Sequence, residues 1–298
     1  MGKWTMIYDA IIIGAGPAGL TAAIYLLRAN KKVLVLERET IGGQISSSPL
    51  VENYPGYLSI SGSELTGNIF DQVLNLGGEV EIEEVIKITE NEVVTENNTY
   101  KTKTIIVATG CKPRVLEINN EENLIGNGIH FCVACDGAFY KNKKVAVIGG
   151  GNSAVINAIS LSDYCTEVIL VQNLDHLTAE QNLIDTLQKK DNVKIILNGE
   201  VISYIGEDVL EGFVLKNNEE IMVDGLFLSI GQVPNSDFIK EFLDIKNNYI
   251  DSADCLTKYP NIFVAGDVRT KEIRQLTTAT SDGTTCAIRA INYLNKGE

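Results

Sequence analysis

Two copies of one strand–turn–helix–strand unit constrain the fold of this chain more than any other feature. The first copy runs from the apolar segment YDAIII through the turn Gly14–Gly19 to a second apolar segment that ends at Glu37. The second runs from KVAVI through Gly149–Ala154 to Gln172, which follows EVILV. The first glycine and the last residue lie 23 positions apart in both copies (37 − 14 and 172 − 149). The sequence therefore predicts two nucleotide-binding-type units built on one plan.

Strand-like apolar runs alternate with helical stretches along most of the chain, which is typical of α/β architecture with parallel sheets. We predict two Rossmann-like domains of the three-layer ββα kind, with the second inserted into the first. The boundaries favoured by the sequence give a discontinuous nucleotide-binding domain, residues 1–112 and 249–298, and an inserted domain, residues 113–248. A length of 298 residues fits two domains.

The first turn has the residue types that dinucleotide binding requires. Gly14 permits the sharp turn, Gly16 lets the backbone approach a pyrophosphate, and Gly19 lets the helix pack closely on the strand. The helix N-terminus attracts phosphate, and Glu37 is placed to accept hydrogen bonds from a ribose diol. A tight turn without a ligand is the alternative for each copy. That alternative is stronger for the second copy, because Gln172 stands where an acid is expected.

Composition and charge exclude several classes of function. A formal net charge of −14 argues against a nucleic-acid-binding protein and against a protein of anionic membrane surfaces. The N-terminal segment, residues 1–10, has no apolar core of signal-peptide length, and glycines and a proline interrupt the apolar stretch 11–27. We therefore expect a cytoplasmic protein without a membrane span.

Two of the six cysteines, Cys132 and Cys135, have motif spacing. In a reducing compartment such a pair is expected to be catalytic or metal-binding rather than part of a disulfide scaffold. A zinc site with His130 is the weaker alternative because the other cysteines are isolated, so we expect no metal. A C-x-x-C pair can form and reopen a disulfide, and Asp136 is a candidate proton donor or acceptor for that step. Asp136 could also cap the following helix, and both roles can hold together.

The order of these features resembles the low-molecular-weight thioredoxin reductase family of flavoproteins over essentially the full chain. The resemblance is carried by the first glycine motif with Glu37 and by a series of short segments in family order. These segments are GGQ (42–44), VENYPG (51–56), VATG (107–110), CVACDG (132–137), SIGQVPN (229–235) and AGDV with RQLTTATSDG (265–283).

The resemblance implies FAD as cofactor, thioredoxin as electron acceptor and a homodimer with a rotating inserted domain. It implies that Glu37 holds the adenosine ribose, that Gly43, Gln44 and Asn53 lie beside the flavin, and that Asp267 binds the ribityl-phosphate side. The full implied cofactor site comprises Gly14, Ala15, Gly16, Pro17, Ala18, Gly19, Glu37, Arg38, Gly42, Gly43, Gln44, Asn53, Ala108, Thr109, Gly110, Gly266, Asp267, Arg274, Gln275 and Leu276. The implied catalytic residues are Cys132, Cys135 and Asp136.

The second unit departs from the NADPH-dependent members of this family. Those members follow the second glycine motif with a Glu-Glu pair and the next strand with an HRRxxxR cluster, whose arginines grip the 2′-phosphate. This chain has Ile156 and Asn157 at the first place, and Gln172, Asn173, Leu174 and Thr178 at the second. His176 is the nearest candidate cation, and an ordinary histidine is largely neutral at pH 7.

This pattern resembles the ferredoxin-dependent flavin thioredoxin reductases, so reduced ferredoxin is the predicted electron donor. The drop from about −400 mV for ferredoxin to about −270 mV for thioredoxin is worth roughly 6 kcal/mol over two electrons. The alternatives are an NADPH- or NADH-dependent reductase with an atypical pocket, a redox sensor without turnover, and a reductase for a different disulfide partner. The retained segments GGGNSA and SIGQVPN favour the first of these.

A strongly acidic chain repels an acidic ferredoxin at long range, so docking requires a local basic patch. Three pairs or clusters are candidates, although each is more often a solvated surface charge. They are Lys112 with Arg114, Lys141 with Lys143 and Lys144, and Arg269 with Lys271.

Overall fold

A computed structural model describes residues 6–48 and 50–297 of the chain. Residues 1–5, half of the N-terminal segment considered above for a signal peptide, lie outside the described part. Within it, no helix has the length and apolar character needed to cross a membrane.

α-Helices and strands alternate over residues 7–82 and 111–196, as the sequence predicts, whereas residues 79–113 and 193–264 contain successive strands without an α-helix between them. The α-helices are α1 (Pro17–Arg28), α2 (Gly62–Asn75), α3 (Glu121–Leu124), α4 (Val133–Asp136), α5 (Asn152–Ser162), α6 (Gln181–Leu187) and α7 (Leu276–Lys296). The strands are β1 (Ile7–Ile13), β2 (Val33–Glu37), β3 (Glu79–Ile82), β4 (Val85–Ile88), β5 (Glu92–Thr95), β6 (Thr99–Val107), β7 (Cys111–Pro113), β8 (Ile129–His130), β9 (Lys144–Ile148), β10 (Glu167–Val171), β11 (Val193–Ile196), β12 (Val201–Ile205), β13 (Gly212–Leu215), β14 (Glu220–Met222), β15 (Gly225–Leu228), β16 (Gln232–Pro234), β17 (Ile245–Lys246), β18 (Tyr249–Ile250) and β19 (Ile262–Val264).

The chain divides into two compact units, residues 1–112 with 233–298 and residues 113–232. The return to the first unit therefore lies at 232/233, and the predicted position at 248/249 is wrong by 16 residues. The reason is packing, since Ile239 and Leu243 are buried in one cluster with Ile11 and Ile13 of β1. No apolar run in residues 233–248 is long enough to predict that this segment packs on the first sheet.

The first unit is built on a seven-stranded sheet in the order β3-β2-β1-β6-β5-β4, with β19 also paired to β6. Strands β3, β2, β1, β6 and β19 are parallel, whereas β4 and β5 are antiparallel additions. Alternate residues of β1 face opposite sides, as the period of two in a strand requires. Ala10 and Ile12 pack with α1 and α7, and Ile11 and Ile13 pack with β4, β5 and the segment 239–250.

The second unit has three layers. A parallel five-stranded sheet, β11-β10-β9-β15-β8, lies between the antiparallel sheet β12-β13-β14 and helices α5 and α6. Val145 and Val147 of β9 pack with α5, while Ala146 and Ile148 pack with Phe213 on the antiparallel sheet. The predicted fold class, Rossmann-like units with parallel sheets, is confirmed.

Candidate functional site

The turn after β1 has the conformation that the sequence predicts. Gly14 has φ of +105°, and a Cβ there would lie 2.4 Å from the carbonyl oxygen of Ala108. A Cβ on Gly19 would lie 1.9 Å from the carbonyl oxygen of Gly14, so α1 packs directly against the turn. At Gly16, by contrast, the nearest atom to a Cβ is Gly43 Cα at 4.0 Å. Open space next to Gly16 is what a pyrophosphate approaching the backbone would need.

Glu37 lies at the end of β2, beside this turn. Its Oε2 accepts a hydrogen bond from the backbone N–H of Ala15 at 2.8 Å, and its Oε1 accepts one from Glu39 N–H at 3.0 Å. The carboxylate is therefore held in place at the position where a ribose diol is expected. Arg38 is directed elsewhere, with ion pairs to Glu39 at 2.8 Å and Glu84 at 3.5 Å.

Most of the other predicted cofactor residues surround the same edge of the first sheet. Gly42 and Gly43 have φ of +104° and +61°, and a Cβ on Gly43 would lie 3.2 Å from Gly16 Cα. Gln44 donates a hydrogen bond to the carbonyl oxygen of Cys111, and Cys111 Sγ donates one to the carbonyl oxygen of Asp267 at 3.0 Å. The remaining members lie at the end of β6 (Ala108, Thr109, Gly110), after β19 (Gly266) and at the beginning of α7 (Arg274, Gln275, Leu276). Asn53 lies in the turn between Val51 and Ile60, which form an isolated antiparallel bridge.

A buried charge network supports the Gly266–Asp267 turn, and the sequence did not point to it. Asp282 accepts hydrogen bonds from Arg269 Nε at 2.9 Å, Arg269 Nη2 at 2.8 Å and the Gly266 backbone N–H at 3.0 Å. Lys271 Nζ lies 3.2 Å from Asp282 and 3.1 Å from Asp267. The available signal was that Asp282 lies inside the family-like segment RQLTTATSDG.

This network overturns one candidate docking patch. The side chain of Lys271 is 7% exposed and that of Arg269 is 15% exposed, and both are paired with acids. A buried and neutralised pair cannot present positive charge to a protein partner. Burial acts to raise the pKa of Asp282, but the hydrogen bonds and charges of Arg269 and Lys271 outweigh it and lower that pKa below its usual value.

Cys132 and Cys135 form a disulfide in the second unit, with Cα atoms 5.2 Å apart. Cys132 precedes the single-turn helix α4, and its carbonyl oxygen accepts hydrogen bonds from the N–H groups of Cys135 at 3.2 Å and Asp136 at 2.9 Å. Asp136 is the last residue of α4 and is buried. This turn brings all three predicted catalytic residues together.

The four other cysteines are free thiols and are buried. Burial raises the pKa of Cys111 to about 12 and that of Cys165 to about 11, which disfavours a reactive thiolate at either position. No group of three or more His, Cys, Asp or Glu side chains in the described part of the chain could hold a metal ion.

The second glycine turn keeps its shape but has lost the charges of a phosphate site. Gly149 has φ of +132°, and the buried side chain of Gln172 fills the space against Gly150. Gln172 Oε1 accepts from the Asn173 N–H at 3.1 Å, and its Nε2 donates to the carbonyl oxygen of His176 at 3.4 Å. Both polar atoms of the Gln172 side chain are thus hydrogen-bonded to the backbone of its own loop.

A cavity of about 550 Å³ adjoins this turn. Among the described residues that line it, Glu200 is the one charged side chain, and it pairs with Lys216 at 2.7 Å. A second acid, Glu180, accepts a hydrogen bond from Asn152 Nδ2 at 3.1 Å, at the first residue of α5. Asn157 donates to Ser229 Oγ at 2.9 Å. The described residues that line the cavity thus offer polar groups and one acid, but no Lys or Arg. Arg114 lies beside the wall at Gly231, its Nε 3.9 Å from where a Cβ of that glycine would be.

Comparison with known proteins agrees with the geometry. The sequence profile described as "pyridine nucleotide-disulphide oxidoreductase" matches residues 8–283. A Clostridium pasteurianum protein described as "34.2 kDa protein in rubredoxin operon" is 44% identical over 96% of this chain and 97% of that protein. A thioredoxin reductase of Listeria innocua is 41% identical over 99% of this chain and 97% of that protein.

A crystal structure of thioredoxin reductase from Streptococcus pyogenes superposes with a TM-score of 0.93 at 34% identity, covering 98% of this chain and 99% of that one. These similarities extend over nearly the whole of each protein, and the matched span of this chain covers both units and the segment that holds Cys132 and Cys135. The chain therefore belongs to the low-molecular-weight thioredoxin reductase family of flavin-dependent disulfide oxidoreductases.

Proposed function

We propose that this protein is an FAD enzyme that passes electrons from reduced ferredoxin, through the Cys132–Cys135 disulfide, to thioredoxin. The observation that carries the choice of donor is the second glycine turn. The adjoining cavity has no Lys or Arg among its described lining residues, and Glu180 and Glu200 are the acids that stand in or beside it. Glu200 is paired with Lys216, so Glu180 is the acid left beside the turn, and no cationic side chain among the described lining residues is placed to hold the 2′-phosphate of NADPH.

The residues of the first unit fit an FAD. Gly16 leaves room for the pyrophosphate, Glu37 would hold the adenosine ribose, and Asp267 would hold the ribityl-phosphate side. When bound, the flavin supplies redox chemistry that accepts single electrons and delivers them as a pair to a disulfide. The protein's own task is then to position the cysteine pair, to exclude water and to move protons between sulfur and Asp136.

A one-electron donor also fits a relative's description. The Clostridium pasteurianum protein is described as belonging to a rubredoxin operon, and rubredoxin is an iron protein that carries single electrons. Of the predicted docking patches, Lys112 with Arg114 and Lys141 with Lys143 keep exposed side chains. Lys112 lies 3.5 Å from Glu39 and Lys144 lies 3.6 Å from Glu167, so both are partly neutralised. Lys141 and Lys143 are the better candidates for contacts with an acidic partner.

An NADPH- or NADH-dependent reductase is the second candidate function. The observation in its favour is that a cavity of about 550 Å³ persists beside the retained glycine turn. We further propose that the protein acts in the cytoplasm, as a homodimer.

The donor is tested by a thioredoxin-reduction assay with each candidate supplied separately. Reduced ferredoxin, NADPH or NADH is added anaerobically to the holoenzyme with oxidised thioredoxin, and free thiols are counted over time. The proposal expects thiol formation with ferredoxin alone. Turnover with either nicotinamide nucleotide at a rate equal to that with ferredoxin would refute the choice of donor.

The Gly16→Ala variant is expected to fold normally but to bind FAD at least about tenfold more weakly. The added Cβ would lie 4.0 Å from its nearest neighbour, which is ordinary contact, so the apoprotein loses little stability. The same methyl group would occupy the space needed by the pyrophosphate. Flavin absorbance per protein after purification and FAD titration of the apoprotein measure the effect. Unchanged FAD affinity would show that the cofactor does not approach this turn.

The Gly151→Ala variant is the matched control in the second unit, because Gly151 corresponds to Gly16 in the repeat. A Cβ there would lie 3.7 Å from Thr178 Oγ1, which is again ordinary contact. If no dinucleotide binds this turn, the ferredoxin-dependent rate should stay within about twofold of wild type. A large loss of that rate, in a variant with normal flavin content, would mean that the second turn is used.

A further inference from the structure

Three polar side chains form a buried chain next to the redox disulfide. His130 Nδ1 lies 3.3 Å from Asp136 Oδ2, and His130 Nε2 lies 2.7 Å from the Tyr140 hydroxyl oxygen. His130 is 7% exposed and Asp136 is 8% exposed. His130 precedes Cys132 by two positions, and Asp136 follows Cys135 directly. Cys132 and Cys135 therefore lie between His130 and Asp136 in sequence, and the side chains of His130 and Asp136 approach each other to 3.3 Å.

The imidazole is fixed in orientation by its surroundings. Its ring centroid is 5.4 Å from that of Tyr140 and 5.5 Å from that of Phe227, whose strand β15 pairs with β8 at His130. The Tyr140 ring is itself fixed, since a Cβ on Gly225 would lie 2.2 Å from Tyr140 Cε1. Packing in this orientation keeps Nδ1 of His130 beside the Asp136 carboxylate and Nε2 beside the Tyr140 hydroxyl.

The second carboxylate oxygen of Asp136 is buried and has no hydrogen-bond partner among the described residues. An ionised carboxylate normally has its buried oxygens satisfied, so a free one is expected where a donor arrives during function. In the disulfide state the two sulfurs carry no proton. Reduction creates two S–H groups within the same turn, and such a group could supply the missing donor.

We propose that His130 is a positioning residue that holds Asp136 ready to exchange a proton with the cysteine pair. The imidazole donates from Nδ1 to Asp136 Oδ2 and accepts at Nε2 from the Tyr140 hydroxyl, which fixes the tautomer. Oδ1 is thereby left for the thiol. This inference rests on the proposed reduction of thioredoxin.

The proton and electron balance of the step is closed. A thiol of the reduced pair gives its proton to Asp136, and the resulting thiolate attacks the thioredoxin disulfide. The S–S bond of thioredoxin breaks, and its leaving sulfur takes the proton back from Asp136. The remaining enzyme thiol then attacks the enzyme sulfur of the mixed disulfide. The second thioredoxin sulfur leaves and takes the proton of that thiol. The enzyme pair is oxidised, thioredoxin is reduced by two electrons, and no proton is gained or lost overall.

The other charged groups near these three side chains surround Tyr140 and affect the pKa of its hydroxyl. Burial, and then the negative charges of Asp136 and Asp224, raise the pKa of Tyr140 to about 12, so the phenol keeps its proton across the working range. The Lys143 ammonium lies 5.3 Å from the centre of the Tyr140 ring. A protonated phenol is the state that can donate to His130.

Two substitutions separate the contacts of the imidazole. His130→Asn keeps a donor near the Nδ1 position, whereas His130→Gln keeps a group near Nε2 and loses the contact with Asp136. In single-turnover mixing of dithiothreitol-reduced holoenzyme with oxidised thioredoxin, His130→Gln should lower the exchange rate at least about tenfold and shift its pH profile. His130→Asn should stay within about threefold of wild type. Equal losses in both variants with an unshifted profile would overturn the inference, since simple packing would act that way.

Histidine-selective ¹⁵N NMR of the holoenzyme gives a readout independent of rate. The chain has two histidines, and the exposed His176 serves as the internal reference. His130 should show the Nδ1–H tautomer, and its resonances should move when dithiothreitol reduces the disulfide. Tyr140→Phe, which removes only the hydroxyl, should weaken the tautomer preference. An Nε2–H tautomer, or no change on reduction, would overturn the proposal.

These experiments separate this inference from the function on which it rests. They bypass the electron donor, so a wrong donor leaves them unaffected. If wild-type reduced enzyme does not react with thioredoxin at all, the proposed acceptor is wrong and the role of His130 in that exchange falls with it. If wild type reacts normally and the variants match it, only the role of His130 is wrong.

Discussion

Replacing Cys135 by serine is expected to lower thioredoxin reduction by at least about a thousandfold, while the bound flavin still accepts electrons from its donor. A serine hydroxyl cannot form the Cys132–Cys135 bond, so electrons that reach the flavin have no covalent path onward. The same loss is expected for Cys132→Ser. The measurement is thiol formation on thioredoxin, with flavin bleaching followed in parallel.

The matched control is Cys165→Ser in the same unit. Cys165 is a buried free thiol that donates to the carbonyl oxygen of Tyr140 at 3.2 Å, and a serine hydroxyl can make that bond. Its rate should stay close to wild type. If Cys135→Ser kept more than a few per cent of wild-type activity, the pair would not be the route to thioredoxin.

Replacing Asp282 by asparagine is expected to destabilise the first unit by about 3–5 kcal/mol, because two buried cations lose their shared carboxylate. Asparagine has the same shape but cannot neutralise Arg269 and Lys271. Its amide NH2 group would also face N–H donors of these cations, where the carboxylate offers an acceptor. The amide oxygen can replace only one carboxylate oxygen, so either Arg269 Nη2 loses its acceptor or Arg269 Nε and the Gly266 N–H do. Because Gly266 and Asp267 belong to the proposed flavin site, FAD affinity should fall as well.

A lower melting temperature, by roughly 10 °C, and release of flavin on dilution would both be measured for this variant. Asp244→Asn is the control, since Asp244 pairs with Lys258 at 3.1 Å on the surface and such pairs contribute about 0–1 kcal/mol. If Asp282→Asn melted like this control, the buried network would not support the site.

The pH dependence of stability offers a third readout for Asp282. Its pKa is lowered in the folded protein, so its ionised form stabilises the fold at any pH above its unfolded value of about 4. That contribution is lost as the pH falls through the folded pKa. As the pH is lowered from about 5, the free energy of unfolding should therefore fall more for the wild type than for Asp282→Asn, as measured by chemical denaturation at each pH.

The geometry of the first glycine turn could be predicted from local sequence, because its residues belong to one strand–turn–helix–strand unit. The spacing from Gly14 to Glu37 predicts a turn and a strand end, and backbone geometry then places them side by side. The cysteine pair and Asp136 share a single turn for the same reason. In each case the interacting residues are joined by secondary structure that the sequence pattern already specifies.

The parts that sequence reasoning missed depend on contacts between distant or ambiguous residues. Asp282 meets Gly266 across 16 positions, through the packing of α7 against the end of β19, which no local pattern encodes. The sequence indicates His130 only as a candidate zinc ligand, because its pairing with Asp136 requires the chain to fold back around α4. From the sequence, Lys271 is a candidate for a surface docking patch with Arg269, because a lysine's burial depends on acids elsewhere in the fold.

We propose that electrons enter from ferredoxin without a nicotinamide nucleotide, and one anaerobic experiment tests this choice of donor. The flavin absorbance of the purified holoenzyme is followed while NADPH, then NADH, then reduced ferredoxin is added. We expect the band to persist through both nucleotides and to bleach when ferredoxin is added. Bleaching within seconds by either nucleotide would contradict the account and would show that the cavity beside Gly149 binds a hydride donor.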